Sequence, residues 1–241
     1  MAEHIYTIMI NEVFESCEAG ASASGAKGAT PCTCPICALR ERLEKNELER
    51  IMGAAMMEPN VRIETNKAGF CRRHFDDMLG SSNRLGLALI LESHLAEVER
   101  GLRGSITDIV AGRGAGASGF AEDTVGSCYL CGRVGSAFDK VIDNLFYMWG
   151  DRDFRAKFAA QKSFCLPHYA LLTEKMRKGM PKKEQAEFYS TLKKVMDSYL
   201  SELRSDISLF CKKFDYRFDD LPWGNAKDAP ERATRFLSGK K

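Results

Sequence analysis

A large excess of charge of one sign is missing from this chain: 35 basic residues against 33 acidic ones leave a formal charge of +2. No strong field therefore draws it to DNA, RNA or an anionic membrane. Long apolar runs are missing too, since the most apolar stretch, Leu85 to Leu91, is far too short to span a bilayer. The opening residues, "MAEHIYTIMINEVFES", show no basic leader, no extended apolar segment and no small-residue cleavage site. The expectation is a cytoplasmic protein with no export signal and no membrane association. Alternation of apolar and polar residues with period two is also scarce; Ile5 to Ile10 is short and reads equally as strand or helix.

What is present is an ordinary globular composition, 44% hydrophobic and 28% charged over 241 residues, enough to bury a substantial core. Nine cysteines stand out. In a reducing compartment they point to metal binding or redox chemistry rather than to structural disulfides.

Helical periodicity dominates. Leu39 to Met52 sets Leu43, Leu48 and Ile51 among many charges, a solvated helix with one buried stripe. From Asn83 to Leu102, Ala88, Leu91, Leu95, Val98 and Leu102 recur at three- and four-residue steps and predict a core-facing helix. After Pro181, Phe188, Leu192, Val195, Tyr199, Leu203, Ile207, Phe210 and Phe214 keep that rhythm, predicting a long brace. Two Gly/Ala/Ser-rich stretches, Glu18 to Thr30 and Gly112 to Gly119, read as flexible loops, each placed before a C-x-x-C pair.

The chain also repeats itself. A shift of 94 positions lays Cys34 on Cys128, Cys37 on Cys131, Phe70 on Phe164, Cys71 on Cys165, His74 on His168 and Phe75 on Tyr169, without a gap. Two 41-residue copies, Cys34 to His74 and Cys128 to His168, indicate an internal duplication. A C-x-x-C pair turns two sulfurs toward one ion, and a C-x-x-H pair on a helical turn puts its two donors on one face. The expectation is one Cys3His set within each copy, closed to further ligands and so structural, with Phe70 and Phe164 packed beside the metal. Zinc fits this set; an iron-sulfur cluster uses the same donor types and stays open as the alternative. Thioredoxin-like redox use lacks its βαβ context. Covalent haem c would need His where Ala38 and Gly132 stand.

Other residues carry weaker signals. Cys32 has no counterpart, because Gly126 takes its place in the second copy; Cys17 and Cys211 read as small, partly buried residues. His4 and His94 have no partner at ligand spacing. "MMEPNVRIETNK" in the first copy departs from its helical counterpart "GDRDFRAKFAAQ" and gathers charges around a proline. With Arg72 and Arg73 at a helix start, where amide groups are free, Arg62, Glu64 and Lys67 form a candidate anion or ligand pocket peculiar to the first copy. "KKFDYRFDDLPWGNAKDAPERA" reads either as an aromatic binding surface or as a tail pinned by Trp223.

The segments "IYTI", "CPIC", "RIETNKAGFCRRHF", "NRLGLAL", "FCLPH" and "KKFDYR…PWGNAKDA" together resemble a family of uncharacterised bacterial proteins of about this length, common in anaerobic Gram-positive bacteria. The resemblance covers nearly the whole chain and implies no catalytic residues. The expected fold is all-α, with duplicated metal-binding helical units braced by a long C-terminal helix. The expected partition is an N-terminal segment 1–33, a first metal-binding unit 34–103, a linker 104–127, a second unit 128–180, and the long helix with its tail, 181–241. The expected function is an interaction or regulatory module with two structural zinc sites and a protein partner, rather than an enzyme. Alternatives are an iron-sulfur redox protein or enzyme of anaerobic metabolism, and nucleic-acid binding, which lacks a basic field.

Overall fold

The computed structural model describes residues 6–18, 33–103 and 115–239. His4, Cys32 and most of the first Gly/Ala/Ser stretch lie outside the described residues. Among those described there are eleven α-helices and no strand, so the chain is all-α. The helices are α1 (Thr7–Glu18), α2 (Pro35–Met52), α3 (Pro59–Ala68), α4 (Arg72–Gly80), α5 (Arg84–Leu102), α6 (Ala115–Gly126), α7 (Tyr129–Met148), α8 (Arg152–Ala159), α9 (Leu166–Gly179), α10 (Lys182–Lys212) and α11 (Ala229–Ser238).

The helices fall into two compact units that do not follow the repeat. One takes the chain up to Arg42 and again from Asp139 onward; the other is Leu43–Phe138. Both chain crossings lie inside helices, α2 and α7.

The first unit is organised by aromatic rings. Phe158 stacks on Phe164 at 4.7 Å between centroids and meets Phe188 at 5.1 Å, while Trp149 stands edge-on to Phe188 at 4.9 Å. These rings are buried, and each such pair adds about 0.5–1.5 kcal/mol beyond the area it removes from water. The periodic stripe of α10 supplies Phe188, Leu192, Val195, Tyr199 and Leu203 to this core, as its spacing predicts. Over its 31 residues α10 packs against α8, α9 and α11. Phe214, one step beyond the helix, is exposed.

The second unit has a leaner core of Ile51, Met52, Ala55, Val61, Phe70, Met78, Leu87, Ile90, Tyr129 and Leu130. Here α3 and α6 pack on α5. The buried face of α5 is Gly86, Leu87, Ile90 and His94, whereas Leu95 and Leu102 are exposed. The expected stripe is therefore rotated. The cause is a histidine serving as a core residue: His94 Nδ1 lies 2.9 Å from the carbonyl oxygen of Asn66, and its ring closes against Gly69. Gly69 has φ +57°, a conformation that side chains disfavour, and an added Cβ would meet the His94 ring at 2.9 Å.

Two further expectations need correction. Residues 115–119, expected to be flexible, begin α6, whose Phe120 lies so close to Gly101 on α5 that a Cβ there would meet the ring at 2.3 Å. Small residues here serve close packing as well as freedom. The "MMEPNVRIETNK" stretch likewise becomes helix α3, started by Pro59 in its first turn, where a missing N–H costs nothing.

Candidate metal centre

Each ligand motif straddles a helix start. Cys34, Cys71, Cys128 and Cys165 each immediately precede a helix, and Cys37, His74, Cys131 and His168 fall in the first turn. The turns close by bonds from Ala38 N–H to the Cys34 carbonyl (3.2 Å), Phe75 to Cys71 (3.0 Å), Gly132 to Cys128 (3.1 Å) and Tyr169 to Cys165 (2.8 Å). Proline assists two of these starts, Pro35 after Cys34 and Pro167 after Cys165, with φ already set for a helix.

The motifs meet across the two copies. Cys34 and Cys37 join Cys165 and His168, while Cys71 and His74 join Cys128 and Cys131, each set having its donor atoms within 4.8 Å of one another. The expected grouping within one copy is thus replaced by a reciprocal exchange: every C-x-x-C closes on the other copy's C-x-x-H. Each exchanged set falls wholly inside one unit.

Short hydrogen bonds hold the joined segments. In the first unit Ser163 Oγ donates to the Thr33 carbonyl at 2.6 Å. In the second, Ser127 Oγ donates to the Ala68 carbonyl at 2.6 Å and Tyr129 N–H to the Gly69 carbonyl at 2.9 Å. The positive φ of Gly69 turns the chain from α3 toward Cys71 at that point.

The donor geometry suits a single ion. His168 Nδ1 lies 3.5, 3.3 and 3.1 Å from the sulfurs of Cys34, Cys37 and Cys165, and Cys37 and Cys165 are 3.6 Å apart. His74 Nδ1 lies 3.3, 3.2 and 3.5 Å from Cys71, Cys128 and Cys131, with Cys71 and Cys131 3.8 Å apart. A tetrahedral ion with sulfur at about 2.3 Å and nitrogen at about 2.0–2.1 Å separates its donors by roughly 3.8 Å (S to S) and 3.6 Å (S to N). Two helix N-termini face each set, and their partial positive charges, about half a unit each, offset the net negative charge of three thiolates and a divalent ion. Both sets can therefore hold a metal.

The surroundings differ. In the first unit all four ligands are buried. Hydrogen bonds from Cys34 and Cys37, aided by backbone amides at the start of α9, pull the Cys165 thiol down to about 3, while burial pushes Cys34 well above the ordinary thiol range. In the second unit only His74 is buried; Cys131 is exposed. Burial raises Cys128, but hydrogen bonds from His74 and from backbone amides outweigh it and bring the thiol down to about 6. Cys131 is pushed up to about 12 by burial and by its neighbouring thiols.

A carboxylate completes the second set. His74 Nε2 lies 3.1 Å from Glu44 and 3.2 Å from the Arg73 guanidinium; with Nε2–H donated to the carboxylate, Nδ1 is left bare toward the three sulfurs. Glu44 is also ion-paired with Arg73. No spacing rule points to Glu44, which lies on α2 and whose counterpart in the second copy is Phe138.

Of the expected pocket residues, Arg62, Glu64 and Lys67 lie on α3 and Arg72 and Arg73 on α4. Glu64 and Lys67 line a 710 Å³ hollow with Phe120, Glu122, Asp123 and Tyr129, a lining more acidic than basic. Arg72 pairs with Asp76 on its own helix at 3.0 Å and Arg73 with Glu44. Trp223 is half-buried against Phe210 at 5.9 Å, with Lys213 over its ring, so it pins the tail, while Phe214 and Tyr216 remain exposed. No helix of the described residues is long and apolar enough to cross a membrane.

The chain belongs to the family of unknown function DUF6062, whose pattern matches residues 1–241. No curated protein and no solved structure matches it.

Proposed function

We propose that the two centres bind zinc as structural Cys3His sites, and that the protein acts as an interaction or regulatory module rather than as an enzyme. The observation that carries this is the donor spacing: four atoms within 4.8 Å of one another, around one point, in each set. Donors to an iron-sulfur cluster sit on different irons and must stand further apart than donors sharing one ion. Four protein ligands leave no open position for a substrate, so the ion supplies folding energy, on the order of 10 kcal/mol for a structural site. Six thiolate ligands hold metal only while reduced, yet Cys17 on α1 is disulfide-bonded, against the expectation of no structural disulfides, so the cysteines favour no compartment. The exposed rings of Phe214 and Tyr216 beyond α10 support contact with a protein partner. A net charge of +2 gives no support to nucleic acid.

Elemental analysis of protein purified without oxygen or added metal, together with a visible spectrum, tests the proposal. About two zinc per chain and no visible band is the expected result. Iron with sulfide and broad visible absorption would overturn it in favour of a redox protein.

A further inference from the structure

We propose that the metal centre of the second unit is an oxidation site: a peroxide attacks Cys131 first, Cys71 resolves it as a disulfide, and the ion is released. The released ion and the thiolate form of the reacting sulfurs rest on the zinc reading above.

Exposure selects the first sulfur. Cys131 is exposed, whereas Cys34, Cys37 and Cys165 of the other centre are buried, and thiol oxidation follows access to the oxidant. Reach permits the second. Cys71 Sγ lies 3.8 Å from Cys131 Sγ and is itself half-exposed. Cys71 and Cys128 both touch His74 Nδ1, at 3.3 and 3.2 Å, but Cys128 also accepts from Cys131 N–H at 3.4 Å and is the more occupied.

The chemistry balances with hydrogen peroxide as the oxidant. The Cys131 sulfur attacks one peroxide oxygen, an S–O bond forms, the O–O bond breaks, and the departing hydroxide takes a proton to become water. The Cys71 thiolate then attacks the Cys131 sulfur, an S–S bond forms, the S–O bond breaks, and hydroxide with a second proton leaves as water. Two thiolates lose two electrons in all, and the peroxide is reduced to two waters. The ion, left with Cys128 and His74 alone, dissociates as a divalent cation.

The buried centre of the same chain serves as the internal control. Zinc content is measured first; the full chain is then exposed to graded hydrogen peroxide while a chromophoric chelator reads released zinc and peptide mass spectrometry maps the cysteines at each step. The expected result is release of about one of the two zinc ions, with a Cys71–Cys131 linked peptide forming at least about tenfold faster than any change at Cys34, Cys37 or Cys165. Simultaneous release of both ions, a first link within the buried set, a link of Cys131 to Cys128 alone, or no reaction would overturn the proposal. Absence of zinc at the outset overturns the zinc reading instead, and the peptide map still decides which sulfurs oxidise first.

Discussion

The two metal centres have the same donors at the same helix starts, yet one is sealed and the other stands open. Around the first, ligands are buried and Phe164 is locked into a cluster of rings. Around the second, Cys131 meets solvent and Glu44 and Arg73 build a polar rim. Among the positions that differ beside the donors are Glu44 against Phe138, Arg72 against Leu166 and Arg73 against Pro167. Duplication kept what binds the ion and released what surrounds it. The pair therefore differs in access rather than in donors, one set sealed and the other reached by solvent.

Metal removal should break the comparison most severely. A strong chelator is expected to strip the second unit first, with hydrogen-exchange protection lost across α3 to α6 while α8 to α11 stay protected. Loss of the second ion, worth on the order of 10 kcal/mol, should then abolish the cooperative melt. Full helicity and an unchanged melt after complete removal would deny the centres a structural role.

Next in size is the aromatic support of the sealed site. Phe164→Ala should cost about 3–5 kcal/mol in urea unfolding, since the ring is wholly buried on Phe158. A smaller loss than that of Phe70→Ala, in the leaner core, would reverse the ranking of the two units.

Glu44→Gln should weaken zinc at the open site about 10- to 100-fold, by removing the anionic partner of His74, and leave the sealed site unchanged in a competition assay. Equal weakening of both would mean that the carboxylate acts through folding.

Acid should resolve the sites by a smaller margin. His74, held above the ordinary histidine range by its contact with Cys128, becomes imidazolium as pH falls through that raised value and then cannot bind metal. In the sealed site Cys165 is pulled down to about 3 although burial pushes Cys34 up, and all four ligands are buried away from solvent. Zinc release on acidification should come in two steps, the open site at the higher pH; a single step would contradict this. The smallest effect expected is that of Arg72→Ala, whose partner Asp76 is a solvent-exposed neighbour on the same helix. It should leave zinc content and melting temperature unchanged.

Much of this was legible from residues alone, and what was not has definite causes. Helices with a dense apolar rhythm, α10 above all, follow directly from spacing. All eight donors follow from the 94-residue shift, but their pairing does not, because exchanging identical halves between copies leaves every sequence interval as it was. The face of α5 was misjudged because hydropathy counts glycine and histidine as poor core residues, whereas Gly86 and His94 are buried there. The partners of Arg72 and Arg73, Asp76 and Glu44, are set by tertiary or local geometry rather than by a motif.

The exchange also nests one chain closure inside the other, which gives synthesis an order. The open centre joins positions 54 residues apart, His74 to Cys128, and all of its donors have been made once Cys131 is added. The sealed centre joins Cys37 to Cys165, 128 residues apart, and must wait for His168. The longer loop costs only about 0.8 kcal/mol more to close, so the difference is one of timing rather than of final stability. A nascent chain halted between those two points would carry one finished knot and, at Cys34 and Cys37, two ligands still waiting for the rest of their site.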